Sequence, residues 1–385
     1  MKLAFQLAYK NLVGAGLRTW LNVSVLSFAF VIIIFFNGLI DGWNEQAKRD
    51  TIAWEYGNGH LLNENYDPFD PFTLQDGHGI LPADKTKNLV PLLMRQASIY
   101  PEGRMVSVMI KGIDANQEIL DLPTHLLKNS KADKPVIIGK RMAASANLEE
   151  GDQVLLRWRD KNGTFDAADI TIVGIFDCNV SAVDNRQIWM SIDKLWEMTG
   201  LRHHATIFIA NEMYVNEAIP GWKFKSQKTL LKDLSDIIEM KKTSGSIMYL
   251  LLLAIALLAI FDTQVLSVFR RQKEIGTYIS LGMTRLQVVW LFTIEGSMYS
   301  LLAMLVGGIY GIPLLGYLAK TGIAFPMGSE DFGISIAERI FPVYGTGLIL
   351  STIALVVISA TIVSFLPARK IAKMDPVDAL KGKLQ

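Results

Sequence analysis

Apolar residues are distributed along this chain in two ways: four long, nearly uninterrupted runs, and, between the first and second of them, a region of short alternating stretches. The runs are residues 21–40, 246–269, 286–319 and 341–366. A helix needs roughly 20 apolar residues to cross the hydrocarbon core of a bilayer, so each run predicts a transmembrane helix. The third run would be about 50 Å long as a helix and is expected to tilt, to kink near Gly311 and Pro313, or to protrude. In the intervening region, period-two patterning predicts strands at 59–62, 105–110, 135–138, 153–158, 170–176, 187–191 and 206–210. Helices are predicted at 85–97, 140–146 and 192–199. Asn162-Gly163, inside the 160–164 turn, suits the positive φ angles of a tight hairpin, and the run DPFDPF at 67–72 reads as a rigid loop. The fold class is an α-helical membrane protein with four transmembrane helices and a large α+β extracytoplasmic domain, residues 41–245, between the first and second.

The domain is expected to enter the second span through residues 226–245 without a helix breaker. Leu230, Leu231, Leu234, Ile237 and Ile238 recur there at three-to-four spacing and form one apolar stripe. That stripe fits a mechanical stalk and fits equally an amphipathic helix packed on its own domain. Residues 1–20 place Lys2, Gln6 and Lys10 on one helical face and Phe5, Ala8 and Leu12 on another, the pattern of a helix lying in the membrane interface or of a charged flank to the first span. No small-x-small cleavage site follows the first run, so it is expected to stay as an anchor.

Composition agrees with a membrane protein: mean hydropathy is +0.28 and only 19% of residues are charged. Positive residues in short loops mark the cytoplasmic side. Lys2, Lys10 and Arg18 precede the first span, Arg270, Arg271, Lys273 and Arg285 occupy the 270–285 loop and its edge, and five Lys or Arg residues lie in the 367–385 tail. The 320–340 loop holds two basic and three acidic residues. Both termini and the 270–285 loop are therefore predicted cytoplasmic. The 24 Lys and Arg residues of 41–245 do not oppose this, because long domains translocate regardless of charge. A single cysteine, Cys178, excludes an intrachain disulfide, so the domain must rest on its own core.

Catalytic constellations are missing from the sequence. There is no G-x-x-x-x-G-K-[ST] phosphate loop, no H-E-x-x-H and no G-x-S-x-G, and the adjacent His203-His204 pair lacks the spacing that puts two imidazoles on one metal. No catalytic and no metal-ligating residue is assigned. Asp262 and Glu295 lie within apolar runs, where a carboxylate is a functional candidate, yet Arg270 and Arg285 stand two to three helical turns away and could satisfy them.

The string RRQKEIGTYISLGMTRLQVVWLFTIEG from Arg270 resembles the coupling segment of the MacB/FtsX-type ABC permeases, the type VII or mechanotransmission class. The ending LPARKIAKMDPVDALK from Leu366 is similar to their cytoplasmic tail, and the order of one span, a large outer domain and three spans matches throughout. Within the outer domain, VMIKGID at 108–114, VIIGKRMAASANLEEGDQVLL at 136–156 and ITIVGIFDCNVSAVDNRQIWM at 170–190 resemble the lipoprotein-releasing LolC/LolE permeases.

The resemblance implies an inner-membrane permease subunit with a MacB-like periplasmic domain of two subdomains, near 41–110 with 203–240 and near 111–202. It implies no ATPase site in this chain; ATP and Mg would be bound by separate cytoplasmic ATPase subunits. A second permease copy or homologue, membrane lipids and a periplasmic lipoprotein carrier are the other implied partners, and nothing calls for nucleic acid. The ATPase would meet Arg271, Lys273, Glu274, Ile275, Gly276, Ile279, Leu281, Gly282 and Met283. Ile275, Ile279 and Leu281 would fill its groove while Arg271, Lys273 and Glu274 pair at the rim. The implied activity is lipoprotein extraction; efflux of a drug, peptide or toxin and signalling to a periplasmic hydrolase are the alternatives. The Lol subunit that recruits the carrier has a protruding hairpin where this chain has only the 160–164 turn.

Overall fold

A computed structural model describes residues 16–324 and 339–373. The first fifteen residues of the expected interfacial helix, most of the 320–340 loop and the tail beyond 373 lie outside the described residues. In chain order the helices are α1 (Leu17–Thr51), α2 (His125–Asn129), α3 (Lys140–Ala146), α4 (Ser181–Asp184), α5 (Ile192–Thr199), α6 (Gln227–Leu230), α7 (Lys232–Arg270), α8 (Gln272–Ser280), α9 (Arg285–Thr321) and α10 (Thr346–Ala368). The strands are β1 (Gly59–Asn63), β2 (Leu89–Ile99), β3 (Val106–Ile113), β4 (Pro135–Gly139), β5 (Gln153–Arg159), β6 (Phe165–Phe176), β7 (Gln187–Ser191), β8 (Ile207–Ala210), β9 (Trp222–Ser226), β10 (Ile323–Ala324) and β11 (Arg339–Ile340). The described residues divide into two compact units, one of residues 16–43, 237–324 and 340–373, the other of 44–236 with 339.

The first unit is a helical bundle, and among the described residues four helices are long and apolar enough to cross a membrane. Its packing follows from one face of α9, where Gly296, Ser300, Ala303, Gly307 and Gly311 are all buried. Small residues at this spacing let helix backbones approach closely, the usual basis of helix association in lipid. A Cβ at Gly307 would lie 3.2 Å from the Phe30 ring, and one at Gly311 would lie 2.9 Å from Val31. Around this seam Leu26 and Ile33 of α1, Ile260 of α7 and Val356 of α10 form the core. Polar links also join the helices: Asn22 donates to the Thr263 hydroxyl at 2.5 Å.

The second unit is built on a nine-stranded mixed sheet ordered β3-β7-β4-β6-β5-β2-β8-β1-β9. Because β2 pairs with β3 along one edge and with β5 on the other, strands β2-β3-β7-β4-β6-β5 close on themselves as a barrel. The first half of β2 pairs instead with β8, which carries the pairing on to β1 and β9. Strict alternation in β5, with Val154, Leu156 and Trp158 inward, fills the barrel together with Ile99, Ile110, Val136 and Ile170. A second core surrounds Trp189, whose indole N–H donates to the Val183 carbonyl at 2.9 Å.

Several sequence expectations are corrected. Residues 85–97 are not a helix: 89–99 form β2, and Pro91 sits within it. This strand is buried on both faces, and a continuous apolar run does not distinguish a strand from a buried helix. The edge strand β9 went unpredicted. Segment 226–245 does contain a break, because β9 ends at Ser226, which caps the single turn of α6, and α7 starts only after Leu231. Within the stripe Leu231 and Ile238 are buried, Leu230 and Leu234 are half-buried, and Ile237 is exposed. The 160–164 turn places only Gly163 at positive φ, with the Asp160 carboxylate accepting from the backbone of Asn162 and Thr164. α1 runs eleven residues past the expected end of the first span, at Ile40. The fourth begins at Thr346 rather than 341, since Pro342 disfavours helix in the residue before it.

Candidate coupling site

The segment between α7 and α9 forms a short helix with defined ends. Arg271 breaks α7 with φ −101° and ψ 22°, and α8 covers nine residues from Gln272. At its C-terminus Gly282 takes φ 97°, its N–H donates to the Ile279 carbonyl at 3.0 Å, and the Met283 N–H donates to the Tyr278 carbonyl at 3.1 Å. That pair of bonds is the Schellman arrangement, which uses a glycine in the left-handed region to stop a helix. Thr284 then opens α9 with a reciprocal cap, its hydroxyl accepting from the Gln287 N–H while Gln287 accepts from the Thr284 N–H. Residues 281–284 are thereby a rigid corner.

One face of α8 is committed inward. Ile275 is fully buried with Val268, Val288, Phe292, Ala368 and Ile371, and Tyr278, Ile279 and Met283 pack at the edge of that cluster. Gly276 is buried as well. Arg271 points the same way: its guanidinium donates twice to the Glu295 carboxylate, at 3.0 and 2.8 Å, once to Glu274 at 2.7 Å, and lies 4.7 Å from the centre of the Phe292 ring. The Arg271 side chain is 17% exposed and that of Glu295 only 9%. Glu295, flagged in the sequence as an intramembrane carboxylate within reach of Arg285, is therefore paired with Arg271, and Asp262 is exposed. Of the three side chains expected to fill an ATPase groove, Ile275 is withdrawn into the protein's own core and Ile279 is half-buried. Leu281 is 77% exposed. The outward face is Lys273, Glu274, Thr277 and Leu281, one stripe at helical spacing, and Thr277 was not singled out in the sequence.

Elsewhere the described residues hold no group of three or more His, Cys, Asp or Glu placed to bind a metal. His204 lies in the segment leading into β8; its Nδ1 stands 2.9 Å from Nδ1 of His78, and burial holds both imidazoles below their usual pKa. Cys178 is buried, which pushes its thiol up to about 12 and makes it a poor nucleophile.

Residues 246–376 match the model of the FtsX-like permease C-terminal family, a span that contains α8, the Arg271–Glu295 pair, α9, α10 and most of α7. The chain is 23% identical over 326 residues to the lipoprotein-releasing system transmembrane protein LolC of Xylella fastidiosa, covering 76% of each chain. These likenesses support a type VII ABC transporter permease. This permease also resembles the macrolide export ATP-binding/permease protein MacB of Agrobacterium fabrum, at 30% identity over 158 residues, 39% of this chain and 22% of that protein. The MacB of Neisseria gonorrhoeae is 24% identical over 237 residues, 55% of this chain and 33% of that one. The permease therefore spans a third or less of the length of these MacB proteins, and over its own length it is LolC-like at low identity. The matched FtsX-like permease domain suggests a non-catalytic permease subunit and implies ABC ATPase partners.

Proposed function

We propose that this permease extracts lipoproteins from the outer leaflet of the inner membrane, driven by a separate ATPase that binds ATP and Mg on the cytoplasmic side. The observation that carries the reading is the likeness to LolC, which at 76% of both chains is longer than either structural unit alone and so draws on both. In this reading the termini and α8 face the cytoplasm, and residues 41–245 are periplasmic. A second permease, identical or homologous, completes the transporter, and a periplasmic carrier receives the cargo.

The ATPase engages Lys273, Glu274, Thr277 and Leu281, and Arg271 transmits its movement. Because Arg271 ties the start of α8 to Glu295 on α9, a push on α8 is delivered to the bundle rather than absorbed by a loose loop. From there α7, unbroken from Arg270 back to Lys232, carries it as the stalk. Work is needed because each methylene drawn out of the bilayer costs about 0.8 kcal/mol. Efflux of a drug or peptide is the second reading, favoured by the likeness to MacB.

The test is reconstitution of the permease with its ATPase in proteoliposomes carrying a triacylated lipoprotein. ATP-dependent transfer of the lipoprotein to a soluble acceptor supports extraction. ATP hydrolysis without lipoprotein release, but with net movement of a soluble drug or peptide, replaces it with efflux.

A further inference from the structure

Residues 67–79, between β1 and β2, are tied down along their length. The first half is stiffened from within, because the Asp67 and Asp70 carboxylates accept from the backbone N–H groups of Phe69 and Phe72, both at 3.0 Å. The middle is held by Arg95 of β2, whose guanidinium donates to the Leu74 and Gln75 carbonyls at 2.9 and 3.1 Å. The end is held by a backbone bridge between Gly79 and Ala205, with bonds of 3.0 and 2.8 Å, and by the contact of His78 with His204. The segment forms part of the wall of a cleft of about 490 Å³, whose lining includes Phe72, Gln75 and Arg95 together with Arg157 and Phe165.

Of these ties, the histidine contact is the one that responds to pH near neutrality, where imidazole titrates. Two Nδ1 atoms 2.9 Å apart are at hydrogen-bond distance, so one carries a proton and the other presents its lone pair. A first added proton is compatible with this arrangement, because an imidazolium can donate to a neutral imidazole. A second is not. Both Nδ1 atoms would then be N–H donors facing each other, on two positively charged rings with centres 4.8 Å apart. Burial is the largest influence on both rings and lowers both pKa values; Arg95 of β2 opposes protonation of His78 further, and Asp76 of the loop favours it. His203, next to His204, is exposed and turned onto the Trp196 ring of α5, at 5.2 Å. A histidine whose pKa is lowered by folding stabilises the folded arrangement above its unfolded value, about 6.5, and that contribution is lost as pH falls through the folded value.

We propose that His78 and His204 form an acid-released latch: at neutral pH the proton between them holds residues 75–79 against 203–205, and double protonation frees this end of the segment and opens the wall of the cleft. Release takes up one or two protons, so the open population should rise about 10- to 100-fold per pH unit across the transition. Strands β5 and β6 carry no part of the latch and stay paired. The device lies within the second unit and does not depend on what the permease transports.

The experiment is hydrogen–deuterium exchange of the full chain in detergent, read by mass spectrometry at about pH 7.5 and about pH 5 and corrected for intrinsic exchange. The comparison is with His204→Gln, whose carboxamide can still donate to His78 but cannot titrate. At about pH 5, peptides covering 75–79 and 203–206 should be at least about tenfold less protected in the unaltered protein than in His204→Gln, and at about pH 7.5 the two should agree within about twofold. Peptides from β5 and β6 should match in both proteins at either pH. Both proteins keep His60, which burial also makes acid-sensitive, so its titration cancels. His203→Gln, beside the pair but outside it, should behave as the unaltered protein. Equal protection of the latch peptides in the unaltered protein and His204→Gln at about pH 5 overturns the proposal. So does a difference shared by β5 and β6, which would mean that the whole unit loosens. A His204→Gln variant already open at about pH 7.5 overturns it too, because ring packing and not the proton would then hold the segment.

Discussion

Replacing Glu295 by Gln leaves a residue of the same shape on α9 but removes the charge that answers Arg271. The two bonds between these groups, at 3.0 and 2.8 Å, form a bidentate pair, and its members are 17% and 9% exposed. Loss of one partner of a buried pair typically costs about 3–5 kcal/mol, because the surviving charge is left without compensation. Arg271 retains Glu274 and the Phe292 face, so the lower end, about 3 kcal/mol, is expected for Glu295→Gln. Glu274→Gln removes the more exposed arm and should cost no more than about 1 kcal/mol. The double variant Arg271→Met with Glu295→Leu removes both charges together, and a thermodynamic cycle should return a coupling of at least about 2 kcal/mol. The measurement is reversible denaturant unfolding in mixed micelles, read by tryptophan fluorescence. In the reconstituted transporter the same Glu295→Gln change should also weaken the link between ATP hydrolysis and transport while the ATPase still binds. If Glu295→Gln and Glu274→Gln cost the same, below 1 kcal/mol, then Arg271 does not anchor α8 to α9 and the transmission route through it is wrong.

Three further outcomes follow from other places in the molecule. Ile275→Ala should destabilise the helical unit by about 2–5 kcal/mol because it opens a hole in a closed core, whereas Leu281→Ala should leave stability within about 0.5 kcal/mol and instead weaken capture of the ATPase in a pull-down. Gly139→Ala should cost about 3–5 kcal/mol by thermal unfolding, since its Cβ would overlap the Asp184 carboxylate, a fully buried acceptor for the Arg141 backbone N–H at 2.9 Å and guanidinium at 2.7 Å. His60 is buried against the Glu55 carbonyl, the Tyr56 ring and the charges of Lys111 and Lys225, and burial lowers its pKa from 6.5 to about 4. A depressed histidine stabilises the fold fully above its unfolded pKa, so about 3 kcal/mol should be lost as pH falls from 6.5 to about 4; His60→Gln should remove that acid-side loss in unfolding curves taken across the range.

What the sequence made legible tracks the distance over which each pattern is written. The period-two strand at 153–158 and the helices at 140–146 and 192–199 are local patterns, and they appear at or within one residue of the expected bounds. The second strand is not local in this sense. Its apolar run is buried on both faces because three other strands pair along its edges, and nothing inside residues 85–97 encodes those neighbours. The coupling segment follows the same logic at finer scale. Its charges and its glycine stop are visible within the twelve residues from Arg271 to Gly282, where Gly282 takes a positive φ. Which side of α8 faces inward is decided elsewhere, by Val288 and Phe292 on α9, by Ile371 after α10, and above all by Glu295, which is 24 residues from Arg271 in sequence and adjacent in space. A short helix with apolar residues on both faces presents two candidate interfaces, and only the fold says which has been used. Here the basic residue that reads most readily as a docking contact is the one that the bundle has taken for itself, leaving Lys273, Glu274, Thr277 and Leu281 as the face still free to meet another protein.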